Sequence, residues 1–359
     1  MSLDLNFTNF CNGTTPVTKE LFAVIDEIDG FKSILIFSGI ITPLIICVFV
    51  EAVVYTVRNI PYCDRRYCIL WILGVYPIFC LTALLGLFIP RAAGLCTFTA
   101  AAYFAVVLFE FMHLIIDYFG GLESMLLQMK GAQMSVARPP TMCLFFCLPK
   151  FEMTRRNFRI LEVGVLQVAF LRPLTLFTSE LLSIDGRLGQ SENAGIASLV
   201  INCVILATSL TAIQCLLIFF YASRKYLKKF YIGPKFACVQ LALIFSNVQS
   251  ALLSILARFD VIECYPPFPF TVRGYQWHLF LITIESTLMF IPTLYFFRNV
   301  KGNIMEDPHR KLRRTSTFAG LVSSAKVKRR RSSTIGECDN LIRERRKSEG
   351  PSYGTVIEL

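Results

Sequence analysis

The chain has 359 residues, of which 54% are hydrophobic and only 17% charged, with a mean hydropathy of +0.56 and a formal charge of +11. A soluble domain carries about a quarter charged residues, so this composition excludes an ordinary soluble enzyme and predicts an all-α membrane protein with lipid as its solvent. Of the +11, +7 lies in residues 301–359, where 14 Lys/Arg stand against 7 Asp/Glu; that placement marks a basic tail facing anionic lipid and argues against a nucleic-acid partner.

Residues 1–32 are polar and net acidic and lack the basic start and short apolar core of a signal peptide. They carry two acceptor sequons, at Asn6 and Asn12, as expected of an exported, glycosylated N-terminal segment. Seven apolar runs follow, at approximately 33–57, 67–89, 95–118, 160–184, 195–222, 236–257 and 276–298. About 20 residues at 1.5 Å each span a hydrocarbon core of about 30 Å. The runs lack the alternation of a barrel strand, so they predict a seven-transmembrane-helix bundle over 33–298.

Orientation comes from the connections. Those after the first, third and fifth runs hold fourteen basic residues, among them Arg65, Arg155 and Lys235; the opposite set holds four, Arg91, Arg187, Arg258 and Arg273. The bias predicts the N-terminus outside and the C-terminus cytoplasmic.

The third run carries Glu110, His113 and Asp117 and stops at Phe119-Gly120-Gly121. Spacings of i, i+3 and i+7 place the three on one helix face. An unpaired charge at the bilayer centre costs about 3 kcal/mol, so this face is expected to meet protein or water, either as a buried polar seam or as the lining of a solute route. Next comes the longest connection, which opens with Leu122, Met125, Leu126 and Met129, a stripe predicting a short helix on the inner membrane surface. Beyond Arg138-Pro139-Pro140 it holds Cys143 and Cys147 beside aromatics, candidates for S-acylation or else ordinary buried thiols.

In the fourth run Arg172 stands at mid-depth before Pro173, and Glu285 lies near the middle of the seventh. Opposite charges at one depth are expected to pair, or to face a shared polar cavity, which would make the third, fourth and seventh spans neighbours. Most of the 13 cysteines fall in apolar runs or basic loops, and none forms a CxxC. Only Cys11, Cys96 and Cys264 would face an oxidising side, where one bridge could form among them.

Residues 299–359 are expected to be a disordered cytoplasmic tail. Three basic clusters there precede Ser316, Ser332 and Ser333, and Ser348, candidate phosphorylation sites whose phosphate would cancel attraction to anionic lipid. No Walker loop, GxGxxG, HExxH or GxSxG is present, and three scattered histidines suggest no metal centre. The expectation is therefore a non-enzyme without cofactor. Seven spans evoke a G-protein-coupled receptor, but no arginine follows Asp117, and residues 185–194 offer no cysteine for Cys96.

Several stretches instead resemble the organic solute transporter alpha subunit family. They are Leu87-Phe88-Ile89-Pro90-Arg91; Tyr103 through Asp117-Tyr118-Phe119-Gly120-Gly121 with Glu123; Gln167-Val168-Ala169-Phe170-Leu171 with Arg172; Gly233-Pro234-Lys235-Phe236-Ala237 with Gln240 and Gln249; and Glu51 and Glu285. The resemblance covers about residues 35–298. It implies a plasma-membrane carrier of amphipathic organic solutes, steroid- or bile-acid-like, working by facilitated diffusion with a small single-pass beta-type subunit. A receptor-like or trafficking scaffold without transport is the other reading of the same architecture. For an anion path the in-span acids are in excess over Arg172, which predicts that they are paired or protonated.

Overall fold

The computed structural model describes residues 18–23, 30–135, 151–184, 192–258, 261–262, 270–299 and 302–303. A short helix α1 (Thr18–Ala23) precedes α2 (Phe31–Asn59). The second apolar stretch is divided into α3 (Cys63–Leu73) and α4 (Val75–Phe88). The break has a local cause: Pro77 lacks an N–H and its ring crowds the carbonyl four residues earlier, that of Leu73, the last residue of α3. Next come α5 (Ala93–Tyr118), α6 (Leu122–Gln128), the paired two-residue strands β1 (Gln133–Met134) and β2 (Phe151–Glu152), α7 (Arg155–Ile184), α8 (Glu192–Ser223), α9 (Ile232–Arg258) and α10 (Phe270–Arg298).

Among the described residues, seven helical spans are long and apolar enough to cross a membrane, with α3 and α4 together forming one. Each matches one predicted run, so the molecule is a helical bundle of the predicted class. Its packing order follows from the contacts: α4 is central, lying against α2, α5 and α10, while α5 also packs against α3 and α7. Outside that group α7 pairs with α8, and α9 with α10. Among lipid tails the drive for such pairing is close packing rather than water release. Gly164 of α7 illustrates it, since a Cβ there would overlap Cys215 Sγ of α8.

The Gly-Gly stop behaves as a cap. Gly120 (φ +85°) donates to Asp117 O at 3.0 Å and Gly121 to Ile116 O at 3.1 Å, the Schellman pattern that satisfies the last carbonyls of α5. The predicted apolar stripe forms α6, and its Met125, with Met129 just beyond, is fully buried in the main core.

Candidate functional site

The structure divides the acidic face of α5 between two neighbours. Asp117 meets Arg65 of α3, with Nε donating to Oδ2 at 2.5 Å, and Glu110, also buried, accepts from the Cys68 thiol of α3 at 3.3 Å. His113 turns towards α7, where its Nε2 stands 3.9 Å from Glu162 Oε1 and its ring packs on Phe109. Glu110 and Asp117 thus belong to an interhelical seam. The other in-span acid near an end, Glu51, forms a two-pronged pair with Arg298 at 2.7 and 2.9 Å. Pairing with Arg65 and Arg298 accounts for two of the acids whose excess stood out in the sequence, Asp117 and Glu51.

A denser cluster sits where α3, α5, α9 and the residues after α10 converge. Arg65 is 2% and Lys235 0% exposed. Besides Asp117 Oδ2, Arg65 donates to Asp117 O at 3.2 Å and to Asn303 O. The three donors of Lys235 Nζ go to Tyr118 OH at 2.7 Å, Asn303 Oδ1 at 2.7 Å and Gly302 O at 3.0 Å. Tyr118 OH also donates to Asn303 Oδ1 at 2.7 Å, while Asn303 Nδ2 donates to Phe297 O and Asn299 O. Tyr118 stacks on Phe230 at 4.6 Å, and its ring lies under both Arg65 and Lys235. Of these two buried cations Arg65 meets the carboxylate of Asp117, whereas Lys235 is held by neutral oxygens and aromatic faces.

Sequence reasoning passed over this cluster. It assigned Arg65 and Lys235 to loops and Asn303 to the tail. The usable signal was Lys235 within Gly233-Pro234-Lys235; nothing local distinguishes Asn303.

The expected Arg172–Glu285 pair is corrected. At 1.5 Å per residue, Arg172 lies about 25 Å from the start of α7, Asn247 about 22 Å from the start of α9, and Glu285 about 20 Å from the end of α10, so all three share a level. Arg172 and Glu285 both border α9, yet no ion pair joins them among the described residues. Arg172 Nη2 instead donates to Asn247 Oδ1 at 3.0 Å, and its buried Nε has no protein partner among the described residues. Glu285 lines a cavity of about 10 Å³ with Tyr76, Ser246 and Ser286, room for about one water. A larger cavity of about 180 Å³ lies between β1 and the end of α8, beside Gln133, Ser135, Tyr221 and Lys225. Both are smaller than the roughly 300–1,000 Å³ of a small-molecule site.

Other buried side-chain atoms without protein partners among the described residues include Ser209 Oγ on α8, both amide atoms of Gln240 and Gln249 Oε1 on α9, and Gln276 Oε1 and His278 Nδ1 on α10. Each unmet group costs about 1–3 kcal/mol in an apolar setting. Such groups are where water or a polar solute would be accommodated.

Cys96 is a free, buried thiol and takes no part in an outer bridge, whereas Cys63 is disulfide-bonded, unlike the reduced loop thiol expected there. Asn6, Cys11, Asn12, Cys143, Cys147, Cys264, Ser316, Ser332, Ser333 and Ser348 lie outside the described residues.

Seven apolar spans enclosing a polar seam define a multi-pass membrane protein. Residues 34–301 match the family model described as organic solute transporter Ostalpha. The chain is 30% identical over 304 residues to the organic solute transporter subunit alpha of Danio rerio, covering 82% of this chain and 90% of that protein. It is 27% identical over 292 residues to the subunit of Homo sapiens, covering 80% and 84%. To organic solute transporter alpha-like protein 3 of Caenorhabditis elegans it is 24% identical over 307 residues, covering 82% and 84%. No solved structure matches. The chain belongs to the organic solute transporter alpha family.

Proposed function

We propose that this protein is the alpha-type subunit of a plasma-membrane transporter that moves amphipathic organic solutes, steroid- or bile-acid-like, by facilitated diffusion together with a small single-pass partner. Family membership supports transport, and the local chemistry supports the solute class. The observation that carries the reading is Arg172: a mid-depth guanidinium whose Nη2 bonds to Asn247 and whose buried Nε has no protein partner among the described residues. A cation offering an unused donor suits a carboxylate or sulfate group. The two helices that carry Arg172 and Asn247 also expose Phe170, Leu174 and Phe177 of α7 and Phe245 and Val248 of α9, apolar side chains suited to the hydrocarbon part of such a solute. Glu285 and His113 complete the candidate path, and Glu110 and Asp117 support it by fixing α5 against α3.

The proposed topology keeps the N-terminus outside and the basic tail on anionic lipid in the cytoplasm. Arg65, Arg66 and Lys235 are buried; withdrawing those three from the loop count leaves eleven basic residues against four, and the bias stands. The test is uptake of a labelled steroid conjugate into vesicles, with and without a co-expressed single-pass partner. Saturable flux that needs the partner and falls at least tenfold in Arg172→Gln is expected. Surface-expressed protein without saturable flux under any pairing would favour the non-transporting scaffold.

A further inference from the structure

We propose that Arg65, Tyr118 and Lys235 form a receptor for a small oxyanion group, a carboxylate, sulfate or phosphate, and that Asn303 occupies this receptor from within. Lys235 makes no ion pair among the described residues, and every acceptor around its ammonium is a neutral oxygen. A fully buried cation satisfied only by neutral oxygens is poorly compensated, so an arriving anion gains more there than at a paired site. Arg65 adds a second cation, with one of its donors spent on Asn303 O rather than on a carboxylate. Asn303 thus places two oxygens where an oxyanion would place its own: Oδ1 on Lys235 and Tyr118 OH, and the backbone O on Arg65.

The geometry also says how the occupant is retained. Asn303 Nδ2 donates to Phe297 O at 2.6 Å and to Asn299 O at 3.0 Å, so the amide reads carbonyls with one end and cations with the other. A carboxylate at position 303 would serve the cations but oppose those two carbonyls, a reason for asparagine here. The plug is held at the receptor by the hydrogen bonds of Asn303 and by Gly302 O on Lys235, contacts of the kind an anion can replace. Asp117 is the acid that faces the receptor; it remains on Arg65, and the incoming group is read chiefly by Lys235 and Tyr118.

The test uses full-length protein and inorganic sulfate in lipid-free detergent, with chloride at matched ionic strength as the control. In Asn303→Ala, sulfate should raise the melting midpoint by at least about 2 °C over chloride, as a ligand that binds only the folded form does. Adding Lys235→Met should abolish that gain. In the wild-type chain, sulfate should increase hydrogen exchange in the peptide covering 297–303, because anion and plug compete. Nanodiscs with and without phosphatidylserine distinguish the sources: a response to sulfate assigns a soluble anion, and one confined to the anionic nanodiscs assigns a lipid headgroup. A folded Asn303→Ala protein that responds to neither overturns the receptor. Should that variant not fold, wild-type exchange that fails to rise with either anion overturns it equally.

Discussion

Arg65 Nε and Asp117 Oδ2 lie 2.5 Å apart, joining the start of α3 to the last turn of α5 across 52 residues of sequence. Arg65 is almost wholly buried, so losing its carboxylate would strand a guanidinium in protein. Asp117→Asn or Arg65→Met alone should each destabilise by about 3–5 kcal/mol, read as a fall in the melting midpoint of the detergent-solubilised protein. The double substitution should lose clearly less than the sum. Strict additivity would show that the two do not act as a pair. As a comparison, Glu123→Ala, which breaks an exposed pair with Arg155, should change stability by no more than about 1 kcal/mol.

Arg172 and Glu285 share a depth and both border α9, but they do not pair, so their substitutions should act independently. Surface abundance in Arg172→Ala/Glu285→Ala is expected to equal the product of the two single losses. Arg172→Ala with Asn247→Ala should fall short of additive by about 0.5–3 kcal/mol, because that pair shares a hydrogen bond. Rescue of Arg172→Ala by Glu285→Ala would show that the charges meet after all.

At Gly164 the α7–α8 contact leaves no room for a side chain. Gly164→Ala should cost about 1–3 kcal/mol by overpacking, and Cys215→Ala, by removing the obstructing sulfur, should recover most of it in the double variant. Equal melting midpoints for Gly164→Ala and wild type would mean that the helices do not approach this closely.

For the tail, Asp at Ser332 and Ser333 should weaken sedimentation of full-length protein or tail peptide with phosphatidylserine liposomes. Near an anionic surface each basic residue contributes about 1 kcal/mol, so two added acids should shift the lipid midpoint several-fold. Unchanged binding removes the proposed electrostatic switch.

The spans, the Gly-Gly cap after Phe119 and the apolar stripe of α6 were legible in the chain because each has a local cause: a hydrocarbon thickness, a left-handed φ that glycine adopts, a helical period. The division of the second span was equally local, since Pro77 alone weakens the turn at Leu73, although the apolar run concealed it. Partner choice was different. The face Glu110-His113-Asp117 was readable as a face, but which helices it meets depends on packing, and the answer was α3 for two residues and α7 for the third.

The sequence by itself determined that this is a seven-span helical membrane chain with polar groups threaded through it, because lipid enforces continuous apolar length and internal hydrogen bonding. It could match charges by depth, since depth follows from residue count along a helix. Only the tertiary structure decided which charges meet: Arg172 found Asn247, Asp117 found Arg65, and Lys235 found the neutral oxygens of Tyr118, Gly302 and Asn303. Lateral position in a bundle is set by how helix surfaces fit one another, and that fit is a property of pairs of helices rather than of any one of them.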